Sequence, residues 1–141
     1  MIIFLDFDGV LHPVPADMRG LFCHLPRLEA LLRQHPHVQI VISSSWRETY
    51  PWGDVILEIF SPDIRPRIVG MTPTLEIRDA CDIIGSRYRE ILDYLGGSGA
   101  DWLALDDDAS LFPPGCTELV LCEDGFCQAE EDELRERLKS C

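Results

Sequence analysis

Read as alternating apolar and polar positions, the chain begins with MIIFLDF, apolar on both faces of an extended strand until Asp6. A strand buried on both sides belongs in a parallel sheet. Residues 10–24 contain Pro13, Pro15 and Gly20 and read as an irregular excursion. Pro26 suits a first helical turn, and Leu28, Leu31 and Leu32 mark an apolar face that runs to His35-Pro36. Val38–Ser43 reads as a second strand leading into Ser43-Ser44-Ser45. In residues 46–66, Trp46 and Trp52 flank a turn, and Asp54–Phe60 predicts a short helix. Arg67–Gly70 predicts a third strand. Residues 79–95 read as a helix, with Tyr88, Ile91, Leu92 and Leu95 at helical spacing and Gly96-Gly97 as its stop. Asp101–Leu105 and Glu118–Cys122 predict the fourth and fifth strands, and Ala129–Leu138 a closing amphipathic helix. Strands alternating with helices imply an α/β fold: a three-layer sandwich around a parallel five-stranded sheet. No repeat, linker or break in composition divides the chain, so residues 1–141 read as a single domain.

Sites in such sheets lie beyond the carboxyl ends of the strands. Three polar clusters fall there: Asp6/Asp8, Ser43-Ser44-Ser45 and Asp106-Asp107-Asp108. Carboxylates gathered in one place raise each other's pKa unless a cation sits among them. A hard, oxygen-liganded ion such as Mg²⁺ suits them, whereas the spacing of a calcium loop is missing. Asp6 and Asp8, two apart on an extended chain, share a face, while Phe7 turns into packing and Gly9 lets the chain leave the sheet. One carboxylate of such a pair can be a nucleophile while the other moves a proton. With a metal, hydroxyls and a cation, these are the parts of phosphoryl transfer. The plainer readings are a solvated turn at Asp6/Asp8, an N-cap at the serines and an acidic cap at Asp106–Asp108. Agreement between three strand ends favours chemistry. Ser43 then reads as a phosphate ligand, while Ser45 fits a cap for the segment from Trp46 equally well. His12 either touches substrate or closes its loop. Arg47 stands where it can reach a leaving group, and Trp46 reads mainly as packing.

Composition narrows the field. Twelve basic against 25 acidic residues leave a formal charge of −13, which repels nucleic-acid backbones, so tight polynucleotide binding is not expected. No apolar run approaches the ~20 residues of a membrane span. The N-terminus lacks a basic stretch before its apolar run, so it does not read as a signal peptide, and a cytoplasmic location is expected. The six cysteines show no C-x-x-C spacing and read mostly as reduced thiols, several of them buried.

The stretches DFDGVLH, VISSSWR and LALDDD resemble motifs I, II and IV of the haloacid dehalogenase (HAD) superfamily. More narrowly, S-S-S-W-R, the R-x-x-E-I of residues 87–91 and TELVLCEDGFC resemble the small, nearly capless HAD domains of Swiss Army Knife RNA repair proteins. Residues 50–75 match least. The resemblance implies a HAD-like fold with minimal or no cap and a Mg²⁺-dependent phosphatase. It implies that Asp6 is the phosphoryl-accepting nucleophile and Asp8 the general acid and base. It also implies that the Asp6 carboxylate, the Asp8 carbonyl and Asp106 hold the metal, with Asp107 binding through water. Ser43 would hold phosphoryl oxygens, with Ser44, Ser45, Arg47 and His12 as further substrate contacts. The cation of motif III must be an arginine, since the only lysine is Lys139 in the last helix. Arg67, Arg78, Arg87 and Arg89 compete for that place, and Arg87 matches R-x-x-E-I. The implied substrate is a phosphate ester, with a nucleotide or RNA-end phosphate among the options. Two other classes stay in view: a receiver-like phosphate acceptor that does not turn over, and a HAD fold used only for binding. Receivers, however, carry a lysine after the last strand, and this chain has none there.

Overall fold

The computed structural model describes residues 1–14, 20–50 and 54–139. Pro15, the turn at Trp52, and Cys141 lie outside them. Five parallel strands form one sheet in the order β3-β2-β1-β4-β5: β1 (Ile2–Leu5), β2 (Gln39–Ile42), β3 (Ile68–Met71), β4 (Trp102–Asp106) and β5 (Leu119–Leu121). The order turns back at β1, so β2 and β3 lie on one side and β4 and β5 on the other. Such a reversal opens a crevice at the strands' carboxyl ends. Register sharpens the point. Leu5 stands opposite both Ile42 and Leu105, so Asp6, Ser43 and Asp106 emerge side by side.

Alternation along β1 assigns the layers. Ile3 and Leu5 enter the larger core with Leu28, Leu31 and Leu32 of α1 (Leu25–Arg33) and Leu134 and Leu138 of α5 (Gln128–Lys139). Phe4 faces the opposite way, toward Ile91 of α4 (Ser86–Leu95). Its ring meets Tyr94 and Trp102 edge-on at 5.8 and 5.7 Å. Full burial of Ile3, Phe4 and Leu5 explains why β1 is apolar on both faces. After β2 come α2 (Trp46–Thr49) and α3 (Asp54–Leu57), and Ile56, Phe60 and Ile64 are buried in the larger core. The described part of residues 46–66 therefore packs onto the sandwich. No helix is long and apolar enough to cross a membrane among the described residues.

The helix expected over residues 79–95 is shorter. Asp79 accepts hydrogen bonds from the N–H groups of Cys81 and Asp82 and caps a single 3-10 turn at Ala80–Asp82. Gly85, at φ +71°, then breaks the path, and α4 starts only at Ser86. The apolar spacing was real, but it belongs to residues 88–95. Among the described cysteines only Cys122 is buried; Cys23 and Cys81 are exposed, and Cys116 and Cys127 are partly covered, fewer buried thiols than expected.

Arg67 sits in a 3-10 turn before β3 and reaches back to the end of α1. Its guanidinium donates to the carbonyls of Leu32 (2.5 Å), His35 (2.5 Å) and Val38 (2.9 and 3.1 Å). A cation on the last carbonyls of a helix is favoured by its dipole, and three acceptors together fix the turn into β2. Replacing it by Arg67→Met is expected to cost about 2–4 kcal/mol in chemical denaturation. Unchanged stability would contradict this clamp.

Candidate active site

The acids converge. Asp6 and Asp106 are buried, Asp107 is exposed, and one carboxylate oxygen from each lies within 4.8 Å of the others. Gly9 makes this possible. It holds φ +77°, and a Cβ there would meet the Asp107 carboxylate at 2.1 Å. The left-handed turn lets β1 leave the sheet while Asp107 lies against bare backbone. Facing the acids is Arg87, at the first turn of α4. Its Nη1 stands 3.5 Å from Asp106 Oδ2 and 3.7 Å from Asp6 Oδ1.

The other arginines considered for this place are elsewhere. Arg67 clamps α1, Arg78 pairs with Glu76 at the surface, and Arg89 donates to the carbonyls of Asp82 and Ile84. Arg87 is held by Glu90, one turn on, whose Oε1 lies 3.6 Å from its Nε. The other oxygen of Glu90 accepts from Arg47 Nη2 at 2.7 Å and from the Leu75 N–H at 3.2 Å. Arg47 itself was expected to reach a leaving group, but it turns inward. It is 7% exposed and donates to the carbonyls of Thr72, Ser43 and Ser44. All three of its nitrogens are engaged by these carbonyls and by Glu90, which directs the guanidinium into the protein and away from a leaving group. Glu90 is thus a buried bridge between two guanidiniums.

Of the serines, Ser43 and Ser44 are buried and Ser45 is exposed. Ser44 Oγ accepts from the Trp46 N–H at 3.2 Å, so the capping bond falls to Ser44 and not to Ser45, whose side chain makes none. Asp8 turns away from the acid cluster. Its Oδ1 accepts from the Trp46 indole N–H at 3.1 Å and lies 2.8 Å from His12 Nε2. His12 Nδ1 accepts from the Phe22 N–H at 3.2 Å, which places the imidazole proton on Nε2, facing Asp8. Phe22 adopts φ +58°, unusual for a side chain of its size, while making this contact. His12 is 1% exposed and its carbonyl accepts from the Gly9 N–H, so it closes the loop and orients Asp8. Trp46 packs against Phe7 and Phe22, as expected, and adds a hydrogen bond that composition could not reveal. Thr72, directly after β3, is buried with an unpartnered hydroxyl among the described residues and was not anticipated.

Burial drives the electrostatics. Desolvation raises the Asp6 carboxyl well above the ordinary range; Asp106 adds to the rise and Arg87 opposes it. Asp106 is pushed from 3.8 to about 6, again chiefly by burial, with Arg87 opposing. Among the described residues, two buried atoms here have no hydrogen-bond partner: Asp106 Oδ2 and Arg87 Nη1. A buried carboxylate oxygen without a donor is costly, and three converging hard oxygens match a divalent cation. The Asp cluster therefore fits a metal such as Mg²⁺, with Asp6, Asp106 and Asp107 supplying side-chain oxygens.

A parallel three-layer sandwich with paired aspartates after its first strand and a further acid after its fourth defines the HAD class of α/β domains. The family described as the HAD domain in Swiss Army Knife RNA repair proteins matches residues 2–130, and the chain belongs to it. No curated protein and no solved structure matches the chain.

Because the Asp106 carboxyl titrates higher in the fold than in the unfolded chain, its contribution to the stability of the metal-free protein falls as pH climbs from 3.8 to about 6. Asp106→Asn is therefore expected to raise the metal-free Tm at pH 7 by roughly 3–8 °C while abolishing the added stabilisation by Mg²⁺. A lower metal-free Tm, or stabilisation by Mg²⁺ that survives, would contradict this electrostatic account. Gly9→Ala should weaken Mg²⁺ binding by calorimetry, since the new Cβ occupies the place of the Asp107 carboxylate. Unaltered affinity would show that Asp107 is not held there for the metal.

Proposed function

We propose that the chain is a Mg²⁺-dependent phosphomonoester hydrolase that carries the phosphoryl group transiently on Asp6. The observation that carries this reading is the convergence of the Asp6, Asp106 and Asp107 oxygens within 4.8 Å of one another opposite Arg87, whose Nη1 faces Asp106 and Asp6 at 3.5 and 3.7 Å without a hydrogen bond among the described residues. Three acids against one cation leave a surplus of negative charge for a metal, and Arg87 Nη1 keeps its hydrogen-bonding capacity for an anionic oxygen. A phosphoryl group with its metal answers both. Bound Mg²⁺ would neutralise charge on the phosphoryl oxygens and on the acid cluster.

The chain's own groups divide the remaining work. An Asp6 oxygen attacks phosphorus as the bond to the leaving oxygen breaks, and Asp8 gives that oxygen a proton. Water then attacks the phosphoryl group on Asp6, Asp8 takes the water's proton, and phosphate departs with Asp6 restored. Arg87 binds phosphoryl oxygens through Nη1, which makes no hydrogen bond among the described residues, and Ser43, directly after β2, adds a hydroxyl. The anchors on Asp8 Oδ1 leave its second oxygen to face the substrate. This proton shuttle favours turnover over a receiver that stores phosphate, and the intact acid set favours it over a binding-only domain. The family's association with RNA repair supports a nucleotide or RNA-end phosphate as substrate. The charge of −13 favours a short ester gripped locally over a long polyanion.

Asp6→Asn should abolish turnover of p-nitrophenyl phosphate with no loss of Tm; undiminished turnover would refute the mechanism. Trp46→Phe removes one anchor from Asp8 while keeping an aromatic ring in the core. It should slow alkyl esters, which need a proton on the leaving oxygen, by about tenfold, and p-nitrophenyl phosphate by less than about twofold. Equal losses for both would mean that Trp46 serves stability alone.

A further inference from the structure

One hollow opens beside Asp107 and another beside Asp8, and their linings differ in kind. One, of about 230 Å³, is bounded by Gly9, Pro13, Val14, Asp107, Glu123 and Asp124. The other, of about 310 Å³, is bounded by Asp8, Ser45, Trp46, Thr49 and Tyr50. The first presents three carboxylates. The second presents one carboxylate, three hydroxyls and two aromatic rings.

The acid that protonates a leaving oxygen must touch it, so the alcohol attached to that oxygen departs on the side that Asp8 faces. We propose that the hollow beside Asp8 is the leaving-group site and that it receives a planar aromatic ring against Tyr50. The proposal rests on the phosphomonoesterase reading above and adds its substrate class: a monophosphate ester whose alcohol carries such a ring.

Three observations lead there. Tyr50 keeps 40% of its surface exposed although it stands at the mouth of a site. Its ring leans on Trp46 with centroids 5.5 Å apart and planes inclined by 36°. Trp46 is itself fixed, by its N–H on Asp8 and by the rings of Phe7 and Phe22. The aromatic wall is therefore tied to the proton donor, so a ring laid on it is aligned with the bond that breaks. Stacking on aromatic side chains is tolerant of ring type, and Ser45 and Thr49 offer hydroxyls to polar atoms at a ring edge. The volume lies at the small end of ligand pockets, enough for one ring and its linker.

Matched ester pairs separate ring recognition from leaving-group reactivity. Benzyl phosphate is compared with cyclohexylmethyl phosphate, and adenosine 5′-monophosphate with ribose 5-phosphate. In each pair the departing alcohol is of the same kind and only the ring differs. The ring-bearing member of at least one pair should show a kcat/KM higher by roughly tenfold, and which pair shows it tells whether the ring sits next to the ester carbon or is carried by a ribose. Tyr50→Ala should bring that ratio close to one, and Tyr50→Phe should keep it. Equal rates within both wild-type pairs, or a preference that survives Tyr50→Ala, would overturn the proposal while leaving the phosphatase reading standing. Absence of Mg²⁺-dependent turnover of every ester, including p-nitrophenyl phosphate, would overturn both.

Discussion

Glu90 lies between two buried guanidiniums, taking Arg47 on one oxygen and Arg87 on the other. Each arginine alone would be expensive to bury, and so would the glutamate. Together with the carbonyls of Ser43, Ser44 and Thr72, they form a braced unit that joins β2, the residue after β3 and the first turn of α4. Arg87 is held by ion pairs, Nε 3.6 Å from Glu90 and Nη1 3.5 and 3.7 Å from Asp106 and Asp6, with no hydrogen bond on Nη1 among the described residues.

Against that fixed cation stands an acid cluster whose burial works against its own ionisation. Asp6 and Asp106 both titrate high chiefly because they are desolvated; Asp106 adds to the rise at Asp6, and Asp107 adds to it at both. Stability is spent here on a place for a cation, a common pattern where function needs charges a core would exclude. Asp8 follows a different logic. It is held off the cluster by Trp46 and His12, each of which is positioned in turn by packing or by the Phe22 N–H. Two aspartates two residues apart thereby acquire different environments, which is how one strand end can offer both a nucleophile and a proton carrier.

Much of this was legible in the sequence, and the parts that were not share a cause. A strand apolar on both faces, a D-x-D-G exit and two further polar strand ends are local patterns, and the parallel register then brings Asp6, Ser43 and Asp106 together. The family match over residues 2–130 agrees with those motifs. Arg47 misled because its partner Glu90 lies 43 residues away in sequence, a distance at which only the packed fold decides direction. The same holds for Trp46 and Asp8, 38 residues apart. The helix at residues 79–95 was drawn too long because its apolar spacing outweighed Gly85, whose left-handed turn sets the true start. Arg87 and Glu90, three apart on one helix, were the exception: a tertiary site written in a local pattern.

The most direct measurement is reductive trapping during turnover. Protein mixed with excess phosphomonoester and Mg²⁺ is quenched into borohydride, which reduces an aspartyl phosphate to homoserine, and the N-terminal peptide is sequenced by mass spectrometry. The account predicts homoserine at position 6, absent without Mg²⁺ and absent in Asp106→Asn. Ester hydrolysis with residue 6 unmodified, or homoserine at another aspartate, would contradict it.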